Sequence, residues 1–268
     1  MTTISASAKH PTPKPRPGAW TCPAWLLSTI ALLLVLGSFA TLAAAPEDLQ
    51  LAKLQQRLEA VSNDWPNLAR YREANALLKP PSEGEARVVF MGDSITDAWP
   101  RTGAFFPGKP YIGRGIGGQT TPQMLVRFRQ DVVSLAPRVV VILAGTNDIA
   151  GNTGPYDSAF TRGNIASMAE LARASGIRVV LASLTPAFDY PWSPGRAPAQ
   201  RIVDLNAWIR DYAARTGCTY LDFFPAMADA RNGMKPEYSA DGVHPNAAGY
   251  AVMEPLAQQA IAQALRGN

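Results

Sequence analysis

From residue 87 onward the chain alternates between short unbroken apolar runs and longer stretches in which apolar residues recur every three or four positions. Arg87-Val-Val-Phe-Met91 is the first short run, and Tyr111 to Gly113 reads as a second. Arg138-Val-Val-Val-Ile-Leu143 is the clearest, with no polar residue after its arginine, as expected where both faces of a sheet are covered. Arg178 to Leu184 and the brief Thr219 to Leu221 complete the series. Between these runs, helical spacing extends over Thr121–Leu135, Asp157–Ser175, Ala197–Thr216 and Asn246–Leu265. Strands alternating with helices predict an α/β fold with a parallel sheet sandwiched between helix layers. In such folds ligands bind beyond the carboxyl ends of the strands.

The pattern upstream is different. From Pro46 to about Lys79 the spacing is helical and the charge mixed, with Leu51, Leu54, Leu58 and Val61 three or four residues apart. Pro80-Pro81 ends that stretch. Residues 46–81 therefore read as a helical prelude packed on the main body, a stalk being the alternative, and residues 82–268 as the main domain. Earlier still, residues 1 to about 23 are polar, proline-rich and basic, with Lys9, Lys14 and Arg16. Ala24 to Ala45 is apolar apart from scattered Ser, Thr and Gly, and ends in Ala43-Ala44-Ala45. A basic flank, an apolar stretch and a small-residue end mark a secretory signal. Roughly 20 apolar residues also suffice to span a bilayer uncleaved. Residues 1–45 thus predict export, with the body periplasmic or extracellular, or tethered to the inner membrane through residues 24–45. Pro46 would be a poor residue directly after a cut at Ala45.

Composition narrows the chemistry. Of 268 residues 47% are hydrophobic and 17% charged, so a sizeable core can be buried. The net charge of +4 is modest and no run of five or six like charges occurs, which argues against a nucleic-acid partner. There are two cysteines, Cys22 in the N-terminal segment and Cys218 in the body, so loss of the N-terminus would leave no intramolecular disulfide. Cys218 reads as a small buried hydrophobe. The two histidines are His10, in the polar tail, and His244. Any imidazole chemistry of the body must use His244, and a metal site built from two or three histidines is excluded by count.

Four polar blocks follow strand ends or precede a helix. Gly92-Asp93-Ser94-Ile95-Thr96-Asp97 follows the first strand; Gly92 allows a sharp turn there, and Ser94 emerges at the carboxyl end. Gly, Asp and Ser are also ordinary turn formers. Thr96 stands where a G-x-S-x-G elbow needs its second glycine. Gly113-Arg-Gly-Ile-Gly-Gly-Gln-Thr-Thr121 follows the second strand. It reads either as a turn into a helix capped by Thr120 or Thr121, or as backbone that approaches a substrate closely. No G-K-[ST] ending supports phosphate binding. Gly145-Thr146-Asn147-Asp148 follows the strongest strand, where an asparagine amide can donate to an oxyanion or simply cap a turn. Asp241-Gly242-Val243-His244-Pro245-Asn246 precedes the last helix. An aspartate three residues before a histidine can fix its tautomer and stabilise its charged form. Each block alone has an ordinary structural reading; all four in order favour the chemical one.

Together, Gly92-Asp93-Ser94, Gly117-Gly118-Gln119-Thr120, Gly145-Thr146-Asn147-Asp148 and Asp241-x-x-His244 closely resemble the four signature blocks of SGNH (GDSL-like) hydrolases, over about Val88 to Tyr250. The resemblance implies a flavodoxin-like three-layer α/β/α sandwich with a central parallel sheet, and no metal or organic cofactor. It implies Ser94 as nucleophile, His244 as general base and Asp241 as the residue that orients it. The backbone N–H groups of Ser94 and Gly118 and the side chain of Asn147 would form the oxyanion hole.

The substrate is less legible, because the family spans lipases, thioesterases, arylesterases and carbohydrate O-deacetylases. The loop Pro186-Ala-Phe-Asp-Tyr-Pro-Trp-Ser-Pro194 is rich in aromatics and proline, suiting either sugar stacking or a rigid self-packed loop. No long apolar lid stands out. The expectation is a serine esterase cleaving short acyl groups, acetyl among them, from a carbohydrate or small alcohol. The alternatives are a lysophospholipase or thioesterase at the membrane and a non-catalytic binding module of the same fold.

Overall fold

The computed structural model describes residues 46–266. The apolar run 24–45, His10 and Cys22 lie outside the described residues. The chain divides at Gln56–Arg57 into two units. The described part of the first is the opening of helix α1 (Pro46–Asp64), on which Leu49, Leu51 and Leu54 are exposed. The second unit holds the end of α1, where Leu58 is also exposed, and all of the other elements.

The helical pattern of the prelude breaks at Trp65-Pro66-Asn67, where proline has no N–H to donate and Asn67 adopts φ 55°. The Asp64 carboxylate accepts the N–H groups of Leu68 at 2.7 Å and Ala69 at 2.9 Å, closing the turn. Helix α2 (Arg72–Leu77) then leads into β1 (Val88–Gly92). In order follow α3 (Ser94–Thr102), β2 (Tyr111–Gly115), α4 (Thr121–Asp131), β3 (Val139–Leu143) and the short α5 (Thr146–Ala150). Next come α6 (Ser158–Ala174), β4 (Arg178–Ala182), α7 (Pro198–Thr216), β5 (Thr219–Leu221), the short α8 (Phe224–Met227) and α9 (Ala247–Arg266).

The five strands form one parallel sheet in the order β2-β1-β3-β4-β5. The chain order therefore reverses between β1 and β3, the switch point at which such sheets bind ligands. Alternation along each strand sends side chains to two separate cores. Val89, Met91, Val140, Ile142, Val179 and Leu181 face a cluster built with α4, α6 and α7. Val88, Phe90, Val139, Val141, Leu143 and Val180 face another built with α3 and α9. This is the expected three-layer sandwich. Every residue of β1 and β3 is buried, each large apolar side chain contributing roughly 1.5–3 kcal/mol.

Some elements end earlier than their apolar pattern. The helix expected to run to Leu135 stops at Asp131, and a 3₁₀ turn over Val133–Leu135 closes on Ala136 in the left-handed region, φ 48°. The strand expected to reach Leu184 ends at Ala182. There the Ser183 hydroxyl accepts the N–H groups of Phe223 and Phe224 and draws the chain off the sheet. Cys218 is half-buried rather than buried, with the Thr216 hydroxyl 3.3 Å from its sulfur.

Candidate active site

Ser94 is the first residue of α3, directly beyond β1. Asp93 caps that helix, its carboxylate accepting the Ile95 N–H at 3.0 Å. Gly92 is required for space rather than for its dihedral freedom. A Cβ there would lie 2.1 Å from Thr96 Oγ1 and 3.1 Å from the Leu143 carbonyl oxygen. Helix α3 was not apparent from the apolar pattern, because its buried residues are only Ile95, Thr96 and Trp99. It is fastened from the far end of the chain: the Tyr250 hydroxyl on α9 donates to the Ile95 carbonyl at 2.7 Å, and its ring stacks on Trp99 with centroids 5.1 Å apart. Tyr250 follows His244 by six residues, so one contact couples the placement of both.

His244 reaches Ser94 from the loop before α9. Ser94 Oγ lies 2.9 Å from His244 Nε2, and His244 Nδ1 lies 2.7 Å from Asp241 Oδ2. An anionic carboxylate at Nδ1 keeps the proton there and leaves the Nε2 lone pair facing the hydroxyl. The other carboxylate oxygen of Asp241 accepts the N–H groups of Val243 at 2.9 Å and His244 at 2.8 Å, and the Ser239 hydroxyl at 3.0 Å. Burial acts upward on the Asp241 carboxyl, but the bonds from the His244 ring and the two backbone N–H groups outweigh it and hold it at about 2.

The remaining residues named from sequence converge on the same spot. Gly117 is close enough that a Cβ on it would meet Ser94 Cβ at 3.8 Å, and Gly118 sits at φ 77°, a conformation open to glycine. Neither the Ser94 N–H nor the Gly118 N–H has an acceptor among the described residues. Asn147, in the first turn of α5, is buried, and its amide nitrogen faces the Gln119 carbonyl at 3.0 Å and Asp93 Oδ2 at 3.3 Å. Asp148 serves the frame instead, accepting the N–H of Thr121 at 2.9 Å and the hydroxyls of Thr121 and Thr161, so that it ties the Gly-rich loop to α5. Thr120 takes the capping position at the start of α4, with the Gln123 side chain accepting its N–H at 3.0 Å. Asp93 is fully enclosed, and burial raises its carboxyl to about 6.

Two residues of the site were not singled out from sequence. Asn152, just after α5, donates to the Gly118 carbonyl and to Asn147 Oδ1, each at 2.9 Å. Trp192 donates its indole N–H to Asn152 Oδ1 at 3.1 Å, stacks on Tyr190 at 5.0 Å, and lies 5.6 Å from the His244 ring, centroid to centroid. The sequence of the aromatic loop suits a sugar platform or a self-packed turn, and does not announce this bond to Asn152. Tyr190 is buried and packs inward, while Phe188 and Trp192 are exposed. The only signal for Asn152 was its place in Gly151-Asn152-Thr153-Gly154, close behind Asn147. Two clefts flank the constellation. One, of about 290 Å³, runs along Phe188, Pro191, Arg231, Asp241 and Gly242. The other, of about 330 Å³, is bounded by Trp65, Asn67, Gly117, Gly118 and Gln123.

The model of the GDSL-like Lipase/Acylhydrolase family matches residues 90–252, which includes all four blocks. A putative acylhydrolase from Bacteroides fragilis is 50% identical, with a TM-score of 0.75, over 76% of this chain and 100% of its own. A GDSL-like lipase from Bacteroides thetaiotaomicron is 48% identical, with a TM-score of 0.73, over 75% of this chain and 100% of its own. Esterase TesA of Pseudomonas aeruginosa is 28% identical over 134 residues, half of this chain. The chain spans 32% and 60% of the lengths of the curated relatives it matches. The fold, the four blocks and these likenesses agree: the chain belongs to the GDSL-like lipase/acylhydrolase family of hydrolytic esterases.

Proposed function

We propose that the protein is a serine ester hydrolase in which Ser94 attacks an ester carbonyl and His244 takes its proton. The observation that carries this reading is the unbroken path from Ser94 Oγ to His244 Nε2, 2.9 Å, and from His244 Nδ1 to Asp241 Oδ2, 2.7 Å. Asp241, anionic at any working pH, orients the imidazole and stabilises its cation. The tetrahedral oxyanion is received by the N–H groups of Ser94 and Gly118, which have no acceptor among the described residues. Asn147 supplies a third donor by giving up its long 3.3 Å contact to Asp93. His244 then protonates the leaving alcohol, and water attacks the acyl-serine with His244 again as base.

The substrates we propose are short acyl esters, acetyl included, of carbohydrates or small alcohols. Both clefts are small, and the aromatic faces of Phe188, Trp192 and Trp65 stand exposed around them. On the same reading the enzyme works outside the cytoplasm, free or tethered through residues 24–45, as their apolar composition suggests. N-terminal sequencing of protein from its host distinguishes the two, and an intact Met1 in the soluble cytoplasm would refute both.

A chain-length series of p-nitrophenyl esters tests activity and acyl preference together. Acetate to butyrate should be turned over fastest; a long-chain optimum would point to a lipid acylhydrolase, and no turnover to a binding module. Ser94→Ala should lower kcat by roughly 10⁴-fold or more, and a fluorophosphonate should label Ser94 alone.

A further inference from the structure

We propose that Trp192 and Asn152 are positioning residues that set the direction in which the Asn147 amide points, and so complete the oxyanion hole. The inference rests on the roles proposed above for Ser94 and Asn147 and adds a relay to them. It begins at the indole of Trp192, which can only donate. Its N–H lies 3.1 Å from Asn152 Oδ1, so the oxygen end of that amide must face the indole. The nitrogen end is thereby turned the other way and donates to two acceptors at 2.9 Å, the Gly118 carbonyl and Asn147 Oδ1. With its own oxygen held by Asn152, Asn147 must present its nitrogen to the opposite side, where Gln119 O and Asp93 Oδ2 mark the edge of the site.

An amide is nearly symmetrical in shape, so packing alone hardly distinguishes its two orientations. Reversed, Asn147 would offer an oxygen to a developing oxyanion and repel it. The acceptor-only Gln119 carbonyl favours one orientation from the nitrogen side of Asn147, and the donor-only indole, acting through Asn152, fixes the same orientation from the oxygen side. The same two side chains also join three segments that carry the chemistry. Asn152 holds the Gly-rich loop by its Gly118 carbonyl and α5 by Asn147, while Trp192 spans to the base, its ring 5.6 Å from that of His244. Both residues are exposed, so neither is explained as core packing.

The test is a set of variants assayed with p-nitrophenyl acetate, with melting temperature measured for each. Trp192→Phe keeps an aromatic ring, though a smaller one, and loses the N–H. Asn152→Asp removes the donors and sets a carboxylate against the oxygen of Asn147. Asn152→Asp should lower kcat by about 10²-fold, the scale for losing one oxyanion donor, with KM changed less than about threefold. Trp192→Phe should lower kcat by roughly 10-fold alone, yet have almost no further effect on Asn152→Ala, because members of one relay do not add. Wild-type kcat in Trp192→Phe, additive losses in the double variant, or an effect confined to KM would each overturn the relay, the last by making Trp192 a substrate contact. Ser94→Ala is run in parallel: if it alone retained activity, the nucleophile would be wrong, a failure separate from that of the relay.

Discussion

At the scale of single residues, charge is arranged so that two aspartates near one nucleophile behave oppositely. Asp241 is solvated enough, and bonded enough, to stay anionic to about 2. Asp241→Asn keeps the shape but removes the charge that holds the imidazole proton on Nδ1. Steady-state kinetics should show kcat reduced by on the order of 10³–10⁴-fold with KM nearly unmoved. A loss below 10-fold would mean that the carboxylate is dispensable. Asp93 is enclosed, and its carboxyl is raised by burial from 3.8 to about 6. A raised carboxyl favours the folded state fully below its unfolded value, and that contribution is lost as pH rises through the folded one. Urea unfolding at several pH values should therefore show stability declining from about pH 4 to above 6 on account of this group. Asp93→Asn should flatten that decline, and an unchanged slope would assign it elsewhere.

At the scale of elements, the site is held by buried polar bonds that no hydrophobic pattern announces. Arg127 on α4 is completely buried. It pairs with Asp131 at 3.0 Å, donates to Gln119 Oε1 at 2.6 Å and reaches the Gly92 carbonyl at 3.0 Å, so one guanidinium joins the Ser94 turn to the Gly-rich loop. Replacing one partner of such a pair leaves the other charge uncompensated. Arg127→Met should cost about 3–5 kcal/mol in denaturant unfolding, whereas the double change Arg127→Met with Asp131→Leu should recover much of it. Equal stability of wild type and single variant would show that the pair does not matter.

These contacts also explain which elements could be read from sequence. β1 and β3 are unbroken apolar runs, and α6, α7 and α9 lay long apolar stripes on the sheet, so their periods were plain. The candidate residues Ser94, Gly118, Asn147, Asp241 and His244 are legible because they lie in the polar segments that follow β1, β2 and β3 or precede α9, where polar residues interrupt a pattern. Helix α3 was not, since Asp93 caps it with the same residue type that makes turns and Pro100 lies inside it. The bond between Trp192 and Asn152 is not legible, because it joins positions 40 apart and single-sequence spacing carries no trace of such a pairing.

For the whole molecule, the segment ahead of the family core decides how much of the chain the fold needs. The match begins at residue 90, yet residues 65–79 are bonded into the body. The carbonyls of Pro66, Trp65 and Leu68 accept the side-chain amides of Gln119, Gln123 and Gln130. The Tyr71 hydroxyl donates to the Gly115 carbonyl, and Asn75 links Asp131, at 2.7 Å, to Arg114, at 2.9 Å. Gln119 and Asp131 are both partners of Arg127, so these contacts support the network behind the Gly-rich loop. A chain begun at Arg57 keeps every one of these bonds and should keep its kcat on p-nitrophenyl acetate. A chain begun at Pro80 loses all of these hydrogen bonds, at roughly 0.5–1.5 kcal/mol each, and with Trp65 and Asn67 one wall of the cleft beside Gly118. It should lose most of its stability by calorimetry, with kcat falling before the fold is lost, because Gln119, next to Gly118, is then anchored from one side only. If the chain begun at Pro80 melted and turned over like the longer one, residues 57–79 would be an appendage, and the cleft they border would have no part in catalysis.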